Sequence, residues 1–456
     1  MSAALRYRRF WRWHFYAGLC VLPFVLLLSV TGAIYLFKPQ IDRWEEREYR
    51  ALDETGRVSA DAQAAAVLAA YPRSRFIHYR LPERPGDAAM IELGMPDGRQ
   101  RDVYVSPQGR VLGALDPEQR LTAVLSRLHG SLLLGRWGDW LVELAASWTI
   151  VMILTGLTLW WPRPFAFAGT LWPRPSLRGR GLLKDVHRVT GFWIAGFVLV
   201  MLASGLPWAG AWGSAFAWAR AELGLVDGPQ DWKIGAAPAP APAHVHGAGP
   251  SMVSSTMEST PMDLRASLPA GLPLSAFVAR AEAEGMVFPV IVIAPHSPQR
   301  FGPLTGAEWT VKSEPQNRTL GRSVTFDPTS GEELARSGFA DKHVLDRLVN
   351  YGIAWHEGQL FGWINQLAGL VVAIALMGMS VLGAVMWWKR RPDGGLGAPA
   401  AATEVGVGRG LMLAVVGLAI LLPLFGASLV AILLLERGVL RRSARVSAWL
   451  GLGART

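Results

Sequence analysis

Four of the nine histidines in this 456-residue chain stand at matched positions. His14 is followed at +4, +17 and +18 by Gly18, Thr31 and Gly32, and His187 at the same offsets by Gly191, Ser204 and Gly205. His129 is followed at +6, +27 and +31/+32 by Gly135, Gly156 and Trp160-Trp161. His356 repeats that pattern with Gly362, Gly383 and Trp387-Trp388. Two facing imidazoles can serve as axial ligands to one haem iron; zinc or copper at such a site is the alternative, although two histidines alone under-coordinate zinc. The single cysteine, Cys20, excludes internal disulfides, cysteine-ligated iron–sulfur clusters and covalent C-x-x-C-H haem attachment. The expected cofactors are therefore two non-covalent b-type haems, one on His14/His187 and one on His129/His356. A glycine at +4 shares the histidine's helix face, so Gly18 and Gly191 are expected to let a flat macrocycle lie against the backbone.

The elements that must position these histidines are membrane helices. The chain is 51% hydrophobic with twenty tryptophans and only 18% charged residues, the composition of an integral membrane protein. An apolar helix needs about 20 residues to cross a bilayer. Runs near 14–37, 139–161, 188–210 and 364–388 qualify, and a fifth, 410–435, carries Pro423 in its middle. The net charge of +10 does not indicate nucleic-acid binding, because the basic residues cluster beside the apolar runs. Arg6, Arg8, Arg9 and Arg12 precede the first run, six basic residues separate the second from the third, and Lys389, Arg390 and Arg391 follow the fourth. The positive-inside rule puts these clusters in the cytoplasm. A straight crossing is expected for the fifth run, although it places Arg437, Arg441, Arg442 and Arg445 outside. A hairpin turning at "LPLFG" is the alternative. The N-terminal apolar stretch is too long for a signal peptide and reads as a retained helix.

The intervening segments are of another kind. "DAAMIELGMPDGRQRDVYVSPQGRVLG" and "EWTVKSEPQNRTLGRSVTFDPTSGEELA" are alternating strands separated by turn residues, each preceded by a helical stretch, 60–71 and 274–285. The expected fold is an internally duplicated α-helical membrane bundle of four core spans plus a fifth, with two α+β modules outside. Its segments are 1–37 (cytoplasmic N-terminus and first span), 38–128 (first outer module), 129–161 (second span), 162–186 (cytoplasmic loop) and 187–210 (third span). There follow 211–355 (second outer module, with a Pro/Ala/Ser-rich linker at 236–262), 356–388 (fourth span), 389–408 (cytoplasmic loop), 409–435 (fifth span) and 436–456 (tail). Parallel repeats related by an axis along the membrane normal would set His14 opposite His187 near the cytoplasmic face, and His129 opposite His356 near the outer face.

Other candidates are weaker. His78, His296 and His343 have no counterpart in the repeat and read as surface or core residues. His244 and His246 lie in the linker near Met252, Met257 and Met262, a donor set that suits copper, though an incidental arrangement in a linker is the simpler reading. The Trp pairs read as interface anchors. Arg136, Glu357 and Gln359 neighbour the outer histidines and can contact a substrate or a propionate, or serve as helix-end polarity.

"LHGSLLLG", "KDVHRVTGFW" and "WHEGQLFGWINQ", together with two outer α+β modules, resemble the PepSY-associated transmembrane family over about residues 8–392. That family includes iron-regulated inner-membrane proteins and ferric-siderophore reductases. The resemblance implies a haem-containing four-helix core in the bacterial inner membrane, carrying periplasmic PepSY modules, with His14, His129, His187 and His356 at the ligand positions. It implies a ferric-siderophore or other ferric-chelate reductase whose acceptor docks from the periplasm. The chain has no room for the flavin reductase domain of some relatives, so a quinol or a separate cytoplasmic reductase is the expected electron donor. Two other classes remain open: a transporter or permease for a metal–chelate complex, and a regulatory binding protein acting through its PepSY modules.

Overall fold

The computed structural model describes residues 3–161, 166–225, 268–298, 304–399 and 408–452. Helix α1 (Ala3–Tyr35) runs into the short α2 (Lys38–Glu45) and then α3 (Ala60–Ala70). Strands β1 (Arg75–Arg80), β2 (Ala89–Gly94), β3 (Gln100–Val105) and β4 (Val111–Leu115) lead to α4 (Leu121–Ser131), α5 (Gly135–Trp160), α6 (Gly179–Gly205) and α7 (Gly210–Glu222). The pattern then recurs: α8 (Leu274–Ala283), β5 (Val290–Ile293), β6 (Trp309–Ser313), β7 (Arg322–Phe326), β8 (Glu333–Gly338), α9 (Val344–His356) and α10 (Trp363–Trp388). Helices α11 (Arg409–Leu421), α12 (Pro423–Gly438) and α13 (Ala444–Leu450) close the chain.

Among the described residues five helices are long and apolar enough to cross a membrane: Ala4–Tyr35, Gly135–Trp160, Gly179–Trp208, Trp363–Trp388 and Pro423–Arg442. The first four form a ring. Helix α1 packs on α5 and α10, and α6 packs on the same two, so α1 and α6 stand diagonally across the bundle. Their outward faces carry exposed apolar side chains such as Trp193, Val200, Val371 and Ile374, as a lipid-facing surface requires.

The two expected outer modules are not separate. Strands β1 and β5 pair antiparallel, with Tyr79 opposite Val292, and this seam joins two four-stranded meanders into one eight-stranded sheet ordered β4-β3-β2-β1-β5-β6-β7-β8. Pairing removes two sheet edges that would otherwise leave a row of backbone groups unbonded. Helices α3 and α8 share one apolar core on one face of the sheet, built on Ala64, Val67, Ile91, Val103, Phe277, Val292, Trp309 and Val324. The Asp61 carboxylate of α3 accepts from the Leu274 and Ser275 amides at 2.7 and 3.1 Å, capping α8 across the seam.

The opposite face of the sheet is tied to the helices by ion pairs, as between Glu83 after β1 and Arg43 of α2. Glu46, 5% exposed just beyond α2, accepts from Arg80 of β1, Tyr104 of β3 and Arg120 ahead of α4, at 2.9 to 3.1 Å. Burial by itself raises its pKa, but the two guanidinium groups and the phenol outweigh that and bring it down to about 2.

The fifth run does not cross straight, which corrects the expected crossing. It breaks at Leu422–Pro423 and doubles back: Phe425 and Leu422 pack with Leu418 and Ala419 at a tip held between α5, α6 and α7. Its ends meet the end of the bundle that holds Arg12, whose guanidinium donates to the carbonyls of Pro399 and Gly451 at 2.7 Å each. The Leu396 amide donates to the Trp449 carbonyl at the same end. The turn returns residues 449–451, after α12, to the end of the bundle that holds Arg12.

Candidate functional site

The four matched histidines come together in two pairs. The ring centres of His14 on α1 and His187 on α6 lie 6.4 Å apart with their planes at 81°. Those of His129 and His356 lie 6.2 Å apart at 82°. The outer two do not begin the spans, as expected from sequence, but end the short helices that precede them, α4 and α9. This explains the +6 glycines. The chain breaks between each short helix and its span through left-handed residues: Leu132, Leu133 and Gly135 in one joint, Gly358 and Gly362 in the other. A glycine takes that conformation without a Cβ penalty.

A hydroxyl residue and the glycine that follows it position each of three rings. Thr31 and Gly32 of α1 seat His129: the hydroxyl lies 3.0 Å from Nδ1, and a Cβ on Gly32 would stand 3.2 Å from Cε1. Ser204 and Gly205 of α6 seat His356 in the same way, at 3.1 and 3.4 Å. Thr155 and Gly156 of α5 seat His14, at 3.3 and 3.0 Å. The glycines let each ring edge rest on the neighbouring helix backbone.

These contacts set the tautomer. The Thr31 hydroxyl donates its proton to the Leu27 carbonyl at 2.9 Å, so its oxygen accepts from His129 Nδ1–H. His14 Nδ1 faces the Met152 carbonyl at 2.9 Å and His356 Nδ1 faces that of Met201 at 3.0 Å, and a carbonyl only accepts. In three of four rings the proton is on Nδ1 and the lone pair on Nε2. This is how metal-binding histidines are held, by a hydrogen bond from the other ring nitrogen.

The donor set fits a haem. Among the described residues no group of three or more His, Cys, Asp or Glu could hold a metal ion. Each pair offers two imidazoles, which a macrocycle with its own four nitrogens completes. His14 and His187, 6.4 Å apart at their ring centres, would hold one such group, and His129 and His356, 6.2 Å apart, the other. Along α1, His14 and Thr31 are 17 residues apart, so the two centres are separated by about 25 Å along the bundle.

The other candidates fall elsewhere. A Cβ on Gly18 would meet Met152 Sδ at 3.6 Å, and one on Gly191 would meet Met379 Cε at 3.2 Å. Gly18 and Gly191 each face a methionine of the neighbouring helix. Arg136 lies over the Trp140 ring at 4.6 Å. Glu357 caps α9. Gln359 and Gln366 both donate to the Leu36 carbonyl at the end of α1, at 3.4 and 2.9 Å. Asn365 donates to the Trp355 carbonyl at 3.3 Å. Within "WHEGQLFGWINQ", His356 thus belongs to the histidine pair and the glutamines and asparagine lock the joint. Burial lowers the His78 pKa to about 4 within the sheet, His343 caps α9 through Nδ1, and His296 hydrogen-bonds through its backbone amide to Gly306. His244 and His246 lie outside the described residues. The first tryptophan of each Trp pair donates to the loop that follows, Trp160 to Thr170 and Trp387 to Leu396, while Trp161 and Trp388 stay exposed.

Sequence reasoning noted Thr31, Gly32, Ser204, Gly205 and Gly156 as repeat markers but gave them no task, and it did not single out Thr155. It missed Glu46 altogether, whose partners come from three distant segments. The family model for the PepSY-associated TM region matches residues 11–390. No curated protein matches the chain.

Proposed function

We propose a function from one premise: the chain belongs to the PepSY-associated TM family. It is an electron-transfer protein of the bacterial inner membrane that reduces a ferric chelate, a ferric siderophore in the first instance. The observation that carries this reading is the pair of two-imidazole sites, one toward each end of the bundle, with three of four rings fixed as the Nε2 donor. Two b-type haems are the cofactors, and each supplies a one-electron couple when bound.

The chain's own residues do the rest. His14 and His187 hold one group and His129 and His356 the other. Thr155, Thr31 and Ser204 orient three of those rings. The lipid-facing helices keep bulk water from the two sites. The arginine-rich end of the bundle is cytoplasmic by the positive-inside rule, and the sheet is periplasmic. The two halves are copies of one helix–sheet–helix unit related by an axis along the membrane normal. A quinol or a separate reductase donates at the cytoplasmic end. The acceptor meets the outer end, near His129 and His356, where Fe(III) reduction weakens the grip of hard oxygen ligands.

A pyridine haemochrome measurement on purified protein tests the reading. About two haems per chain, with reduction of a ferric siderophore read by a ferrous chelator, support it. A haem-free protein after expression with ample haem removes it and leaves the transporter and regulator classes.

A further inference from the structure

The fourth imidazole breaks the pattern. Residues matching Thr155 and Gly156 in the second half are Leu382 and Gly383, each 26 and 27 positions after its histidine. Leucine has no hydroxyl. His187 Nδ1 is buried and has no hydrogen-bond partner. A Cβ on Gly383 would meet nothing within 4 Å, so the ring does not rest there as His14 rests on Gly156. The nearest acid along the helix, Asp185, is turned away: it accepts from the Arg174 amide at 2.7 Å and the Arg174 side chain at 2.8 Å. Among the described residues, both devices that hold the other three rings are missing at this one, and no hydrogen bond fixes its tautomer.

We infer that His187 is the exchangeable ligand of the His14/His187 pair, and that this end of the bundle admits a small neutral π-acceptor molecule in its place. The inference rests on the haem reading above and deepens it. The exchange would be a substitution of one lone-pair donor, His187 Nε2, by another, with no electron transferred. His14, held by Thr155 and the Met152 carbonyl, stays. The outer pair, with both rings held, does not exchange.

Carbon monoxide is the probe. The full chain is purified, its haem counted as the pyridine haemochrome, and the dithionite-reduced protein titrated with carbon monoxide by difference spectroscopy. The expected result is about two haems and about one bound carbon monoxide per chain. Leu382→Thr, which restores the hydroxyl, should keep both haems and weaken uptake about tenfold or more. His129→Ala/His356→Ala should keep one haem and still bind one molecule. If Leu382→Thr fails to hold two haems, the double variant decides alone. A two-haem protein that takes up no carbon monoxide overturns the inference. So does uptake unchanged in a two-haem Leu382→Thr protein, or lost in the one-haem double variant. Each of these leaves the haem reading standing, whereas a protein with no haem overturns that reading itself.

Discussion

The Thr31 hydroxyl lies 3.0 Å from Nδ1 of His129, on the same helix that carries His14 17 residues earlier. One helix therefore supplies a histidine of one pair and the orienting group for a histidine of the other. Helix α6 does the same with His187 and Ser204.

Removing an outer ligand should separate the two centres. His356→Ala is expected to lower the haem content from about two to about one per chain, with the spectrum of the remaining haem unchanged. Retention of both would sink the assignment of this pair.

The orienting hydroxyl should matter nearly as much as the ligand. Thr31→Val keeps the shape but removes the acceptor for His129 Nδ1–H. Loss of such a partner weakens metal binding about 10- to 100-fold. Haem transfer to a scavenging apoprotein should quicken by a similar factor for one haem only. Equal transfer of both haems, at the unsubstituted rate, would argue against the role.

Matched glycines should respond unequally. Gly156→Ala puts a methyl about 3.0 Å from His14 Cε1, closer than a ring edge accepts, and should displace that ligand and lower haem occupancy at its centre. Gly383→Ala meets nothing within 4 Å and should be tolerated. Comparable losses in both variants would mean that the two rings are seated alike.

Acid should loosen the joint between sheet and bundle. Glu46 has its pKa lowered from 4.5 to about 2. A folded-state value below the unfolded one gives stability that is present above about pH 4.5 and lost as pH falls toward 2. The difference amounts to about 3 kcal/mol. Glu46→Gln should lower the apparent melting temperature at neutral pH and flatten its dependence between pH 4.5 and 2. An unaltered pH profile would show that the carboxylate does not hold the joint.

The hairpin makes a topological prediction. In a Cys20→Ser background, Arg8→Cys and Arg445→Cys should react with a membrane-impermeant thiol reagent from the same side, and Asp97→Cys, in the turn between β2 and β3, from the other. Labelling of Arg445→Cys together with Asp97→Cys would restore a straight crossing.

Much of this was legible in the chain. The spans follow from runs of apolar residues long enough for a bilayer, a local property that needs no partner. Helices near 60–70 and 274–283 and the strands after them follow from local periodicity. The histidine pairs follow from equal offsets in two halves, because equal spacing on equal helices gives equal positions. The joints were harder: a left-handed break at Leu132 and Leu133 has no residue-type signature.

By itself, the sequence determined a membrane bundle, its four principal helices, and four histidines in two matched sets. Each of these is encoded by composition or spacing within one stretch of chain. Only the tertiary structure decided that the two strand segments form one sheet, because pairing of β1 with β5 is a choice of partner made across about 200 residues. Only it decided that 410–435 turns back, since an apolar run with a proline fits a kink and a hairpin alike. And only it assigned the hydroxyls: Thr31 reaches His129, Ser204 reaches His356 and Thr155 reaches His14, each across a helix interface, while Leu382 leaves His187 with no such partner. A hydrogen bond between helices depends on how they are rotated against each other, and packing of whole faces sets that rotation rather than the residues that make the bond.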